Sequence, residues 1–163
     1  MMKKHIILIL FCIANLYIMN GQNDYQSNWK QVEEFDRKGL PKSALEVIET
    51  IYKQAKKEKN DNQEIKAFLY KSRYLLTLEE YAQLTIISDL KNEIGQSTFP
   101  KKNILESILA NLYWQYFQQN RWRFYNRTQT AAKVDQQDFR TWDLETLFAE
   151  VHLHFQNTIK NGV

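Results

Sequence analysis

The sequence has little of what many protein classes depend on. Of its 163 residues one is cysteine, four are glycine and two are proline. The lone Cys12 falls inside an N-terminal apolar stretch, so the rest of the chain has no thiol nucleophile, no disulfide and no cysteine ligand for a metal. Few glycines and prolines leave few tight turns, which disfavours a many-stranded sheet and favours long helices with short joints. No HExxH, glycine-rich phosphate loop or GxSxG elbow is present. Charge of one sign is lacking too. Removing Lys3 and Lys4 from 22 basic side chains leaves 20 against 19 acidic ones, a balance with no global pull on nucleic acid or an anionic membrane.

No apolar run reaches the ~20 residues of a membrane-spanning helix. The opening "MMKKHIILILFCIANLYIMNGQ" has a basic start, an apolar stretch from Ile6 to about Met19, and a small-polar end. It is expected to be a signal peptide over residues 1–21, leaving no stable membrane span once cleaved. Residues 22–163 are then expected to form a single all-helical domain, exported to the periplasm or cell envelope.

What is present is helical periodicity. Tyr25, Trp29, Val32 and Phe35 form a first stripe, and "RKGLPK" ends it, with Gly39 suited to a left-handed C-terminal position and Pro41 to the next first turn. Leu45, Ile48, Ile51, Tyr52 and Ala55 share a face of the second helix. Asp61 and Glu64 have capping-box spacing before a third stripe of Ile65, Phe68, Leu69, Ser72, Leu75 and Leu76. "TLEE" at Thr77–Glu80 is a second capping box, expected to open a fourth helix bearing Tyr81, Leu84, Ile87, Leu90 and Ile94. The fifth, from Pro100, carries Ile104, Leu105, Ile108, Leu109, Leu112, Tyr113, Tyr116 and Phe117 over a width that marks a central helix. The last begins near Asp143, with Leu144, Leu147, Phe148, Val151, Phe155 and Ile159 on one side. An irregular segment separates these two. The expected fold is all-α, about six antiparallel helices in a tetratricopeptide-like hairpin stack or an irregular bundle, without a clean 34-residue repeat.

Candidate chemistry is sparse. His152 and His154 point roughly 200° apart on a helix and cannot share an ion. Glu150 and His154 share a face, but further ligands are missing, so both histidines read as helix-flank residues and no metal or cofactor is expected. Asn126–Thr128 matches a glycosylation sequon of little weight. The notable run is "LYWQYFQQNRWRFYNRT". Helical phasing puts Trp114 on a flank, and beyond it Arg121, Trp122, Arg123, Phe124, Tyr125 and Arg127 mix cations with aromatics. Nucleic-acid stacking would want a wider basic surface. Arginines fixing the irregular segment, or a protein contact surface made by Trp114, Arg121, Trp122, Arg123, Tyr125 and Arg127, fits better.

Three strings, "NWKQVEEFDRKGLPKSALEVIETIYKQAKKEKNDNQEIKAFLY", "ILANLYWQYFQQNRWRFYNRT" and "DFRTWDLETL", carry a resemblance across nearly the whole of residues 22–163. Through Trp29, "KGLPKSAL" at Lys38–Leu45, the "LYWQY…NRW…NRT" block and "TWD" at Thr141–Asp143, the chain resembles the N-terminal region of large bacterial alpha-2-macroglobulin family proteins. The resemblance implies an exported, non-catalytic helical leader of a protease-trapping protein. The bait and thioester machinery of that family resides in β-sandwich and thioester domains, which this helical, cysteine-poor chain is expected to lack.

Two readings follow. In the first the chain is a scaffold or interaction module whose partner is the downstream macroglobulin domains or another envelope protein, with apolar surface left open near the C-terminal helix. In the second it is a free-standing envelope adaptor that binds a protein or peptide, with a polar surface broken only by one groove.

Overall fold

The computed structural model describes residues 25–125, 135 and 137–160. The expected signal peptide over residues 1–21, the sequon match, Arg127 and most of the irregular segment before Asp138 lie outside these residues. Among the described residues the fold is all-α, with six helices and no strand: α1 over 25–37, α2 Pro41–Glu58, α3 Asp61–Leu78, α4 Ala82–Gln96, α5 Lys101–Tyr125 and α6 Leu144–Ile159. They fall into two compact units, one ending at Glu80 and the other beginning at Tyr81.

In the first unit the α1–α2 junction forms as its residues dictate. Gly39 adopts φ 68°; its N–H bonds the carbonyl of Asp36, and the N–H of Leu40 bonds that of Phe35, which satisfies the last carbonyls of α1. Pro41 then occupies the first turn of α2. Tyr25, Trp29 and Val32 of α1 are buried against Ala44, Ile48, Ile51 and Ala55 of α2 and Ala67 and Tyr74 of α3. The aromatic tips find polar partners at the edges of that core. Tyr25 Oη donates to Glu58 Oε2 at 2.7 Å, Trp29 Nε1 to Gln63 Oε1 at 2.8 Å, and Tyr74 Oη to Asp36 Oδ1 at 2.8 Å. Lys66 Nζ lies 3.9 Å from the Trp29 ring centroid.

Two expected caps are placed differently. The α3 cap is Asn60, whose side chain accepts from Gln63 N at 3.2 Å, so the capping position precedes Asp61. Thr77 does not open α4: its hydroxyl bonds the carbonyl of Arg73 inside the last turns of α3. Helix α4 starts later, after an exposed Tyr81 that makes no side-chain cap. The stripe on α3 is also rotated. Leu69 and Leu76 are exposed, whereas Ala67 and Tyr74 turn inward because the small Ala67 admits the neighbouring helix and Tyr74 reaches Asp36.

In the second unit α5 packs against both α4 and α6, as its broad apolar surface anticipates. Leu105, Leu109, Ala110, Tyr113 and Tyr116 are fully or nearly fully buried, while Ile104 is exposed and Ile108 and Leu112 are half-buried. A nearly buried ion pair, Lys101 Nζ to Glu93 Oε1 at 2.9 Å, joins the start of α5 to α4. Helices α5 and α6 form an antiparallel hairpin. Asn103 near the start of α5 caps the end of α6, its side-chain amide donating to the carbonyls of Asn157, Thr158 and Lys160.

Candidate interaction surface on the α5–α6 hairpin

The α5–α6 hairpin is organised by a run of aromatic rings. Tyr113 meets Phe139 and Trp142 with centroids 5.6 and 5.7 Å apart, and Tyr116 meets Phe139 edge-to-face at 4.7 Å. Phe139 and Trp142 are held in place by hydrogen bonds within "DFRTWD". Asp138 accepts from the backbone N–H of Arg140 and pairs with both Nε and Nη2 of its guanidinium at 2.8 and 2.7 Å. That fork holds the Asp138 carboxyl below the usual carboxylate range. Thr141 donates to the carbonyl of Asp138, and Trp142 Nε1 to that of Asp135. Asp143 caps α6 by accepting from Thr146 N at 2.8 Å, a bond that lowers its carboxyl too. The "TWD" string is thus a hydrogen-bonded lead-in to α6.

Asn120 breaks the regular geometry of α5. Its backbone lies at φ −119° and ψ 18°, and its side-chain amide donates to the carbonyl of Tyr116 at 2.9 Å. After this kink Phe124 turns inward against Tyr116 and Phe117, while Arg121, Trp122 and Arg123 stay exposed. Trp122 is 68% exposed. Successive helical positions fan these three side chains over roughly 200°, so they do not present one face. Trp114, also exposed, lies across Phe117 and Phe148 at 5.5 and 6.0 Å. Tyr125 closes the helix. Among the described residues of this unit, cation–ring contacts are made by Lys91 over Tyr113 and Trp142 and by Arg140 over Tyr81.

The C-terminal helix α6 buries only part of its apolar side. Of the apolar side of α6, only Leu147 and Val151 are buried; Phe155 is 46% exposed and Ile159 67%. The apolar arc of α6 is wider than the strip that α5 covers. Phe148, Phe155 and Ile159 recur at i, i+7 and i+11; Phe148 packs on Phe117 and Trp114 of α5 at 4.8 and 6.0 Å and stays partly exposed, while Phe155 and Ile159 are exposed among the described residues. Sequence phasing placed these residues on one side of the helix but did not separate its buried line from its exposed one.

A polar cluster lies on the covered side. His154 is buried, not a flank residue, whereas His152 is exposed. His154 Nδ1 bonds Glu106 Oε2 of α5 at 2.5 Å, and its Nε2 lies 3.4 Å from Glu150 Oε2, one turn back on α6. Asn157 donates to the other oxygen of Glu106, and the Tyr113 ring stacks on the imidazole at 5.9 Å. Burial opposes the imidazolium, but the two carboxylates outweigh it and raise the His154 pKa. Burial, then the charge of Glu150, pushes the Tyr113 phenol up as well. No cluster of three or more metal-ligating side chains suited to an ion occurs among the described residues. On the α4 side a cleft of about 490 Å³ is lined by Ser88, Lys91, Asn92, Gln137 and Asp138 over an apolar base of Leu84 and Ile87.

Among the described residues no helix is long and apolar enough to cross a membrane. Comparison with known proteins adds no relative: no protein-family profile, curated protein or solved structure matches the chain.

Proposed function

We propose that this chain is a non-catalytic helical interaction module, exported as the leader of an assembly like that of the bacterial alpha-2-macroglobulins. The observation that supports it is the exposed apolar edge of α6, Phe155 and Ile159 beyond the partly exposed Phe148 and Trp114. A self-sufficient adaptor would keep such side chains inside or confine them to a groove. The cleft beside α4, among the described residues, is lined mainly by polar groups. Large apolar side chains along one edge of a helix favour a partner that covers them. Trp122, exposed past the kink, is a second candidate contact.

The test uses the full chain and, as probe, the macroglobulin body of a bacterial family member whose own leader carries the "KGLPKSAL" and "TWD" strings. Wild-type chain is expected to bind, and Trp122→Ala together with Phe155→Ser to weaken binding by at least about tenfold, the cost of two partly buried aromatic contacts. Helix content by circular dichroism should stay unchanged. Absence of binding by the wild-type chain would favour the free-standing adaptor.

A further inference from the structure

We propose that two copies of this chain pair through the exposed edge of α6, antiparallel, so that each covers the other's Phe155 and Ile159. The inference does not depend on the leader role proposed above: it names what covers that edge while the chain is alone.

The outer face of α6 has the spacing of a helix seam. Phe148, His152, Phe155 and Ile159 follow one another at intervals of four, three and four residues, and all are at least partly exposed. At about 100° per residue they fall within an arc of about 60°, the narrow stripe by which one helix packs on another in a heptad pattern. Leu147, Val151 and His154 form the buried line against α5. The outer stripe is therefore a second seam, bordered by Phe148, which also packs on Phe117 and Trp114.

A second copy suits this stripe because the stripe is self-complementary. Laid antiparallel, it sets Phe148 of one copy on Ile159 of the other and His152 on Phe155, and the two-fold axis repeats both pairs. His152, the one polar member, then meets an aromatic ring, not a second imidazole. Charge selects the same direction. Glu145 is exposed in the first turn of α6, and Lys160 is exposed just past its last. Antiparallel pairing brings the acidic start of each helix beside the basic end of the other and opposes the helix dipoles. Parallel pairing would set Glu145 against Glu145 and His152 against His152. Exposed Ala149 and Gln156 flank the stripe without charge, and the small Ala149 lets the helices approach. Four layers make a short seam, so the pair is reversible and a larger apolar partner can displace it.

The experiment is intermolecular NMR line broadening in the full chain with Cys12→Ser. Copies carrying a nitroxide on Lys160→Cys, outside the seam, are mixed with isotope-labelled copies that carry none. Broadening is expected to be strongest at the start of α6, over residues 144–148. Phe155→Ser in both copies should abolish that pattern and raise the midpoint of association in sedimentation velocity by about tenfold, with unchanged helix content. Broadening strongest at the end of α6 would mean parallel pairing. Broadening spread over the chain, or absent, would mean no pairing through this edge. Either result overturns the proposal, and the mixed-copy measurement decides it even where Phe155→Ser fails to fold. The docking reading is untouched by both, since binding to the macroglobulin body decides it separately.

Discussion

At the scale of single residues, the two joints of the α1–α2–α3 run form a matched pair. Gly39 and Lys59 both sit in the left-handed region, at φ 68° and 54°, and each is followed by the same two backbone bonds closing the preceding helix. Glycine takes that conformation freely, whereas a lysine there costs about 1–2 kcal/mol. Lys59→Gly should therefore stabilise the chain by about 0.5 kcal/mol, after the extra chain entropy of glycine offsets part of the relief. Gly39→Ala should destabilise it by about 1 kcal/mol. The space around Gly39 is open, so that loss would be conformational, not a clash. Urea midpoints at constant m-value check both. Equal effects of one sign would show that the two positions are not equivalent caps.

At the scale of elements, α5 carries the second unit, and its two sides differ sharply. Leu109 is fully buried and Ile104 is 45% exposed on the same helix. Leu109→Ala should cost about 2–5 kcal/mol, and Ile104→Ala well under 1 kcal/mol. Thermal unfolding of the two variants measures the contrast; similar losses would remove α5 from its central place. The existence of this helix and its width are legible in the sequence because aromatic and branched residues crowd it. The caps are less legible because the pattern is degenerate. Asn60 with Gln63 and Asp61 with Glu64 both satisfy it, and the backbone turn at Lys59 decides between them. Phase is hardest where an apolar arc exceeds what one neighbour covers, as on α6, since periodicity cannot say which edge of the arc is left outside. The buried cluster did leave a sign. Glu106 lies in phase with Leu109 and Tyr113, and His154 with Leu147 and Val151, so each interrupts an apolar stripe at a position the other can answer. The flank position of Trp114 was legible from helical phase, whereas the kink between it and Trp122 arises from the Asn120 backbone and its bond to Tyr116.

At the scale of the whole molecule, charge and apolar surface act against each other. Basic and acidic side chains number 22 and 19, so mutual repulsion between copies is weak at neutral pH. The uncovered edge of α6 then has little to oppose it, and the isolated chain should self-associate through that edge. Burying one such side chain is worth roughly 1.5–3 kcal/mol, about a tenfold change or more in the concentration at which larger species form. Phe155→Ser and Ile159→Ser should each raise that concentration by about tenfold in sedimentation velocity, with unchanged helix content, because both residues lie outside the buried line of Leu147 and Val151. Added salt should not reproduce the effect, since apolar contact is not screened. Serine variants that associate as readily as the wild type would mean that the edge is not sticky in water, and the case for a covering partner would then rest on Trp114 and Trp122 alone.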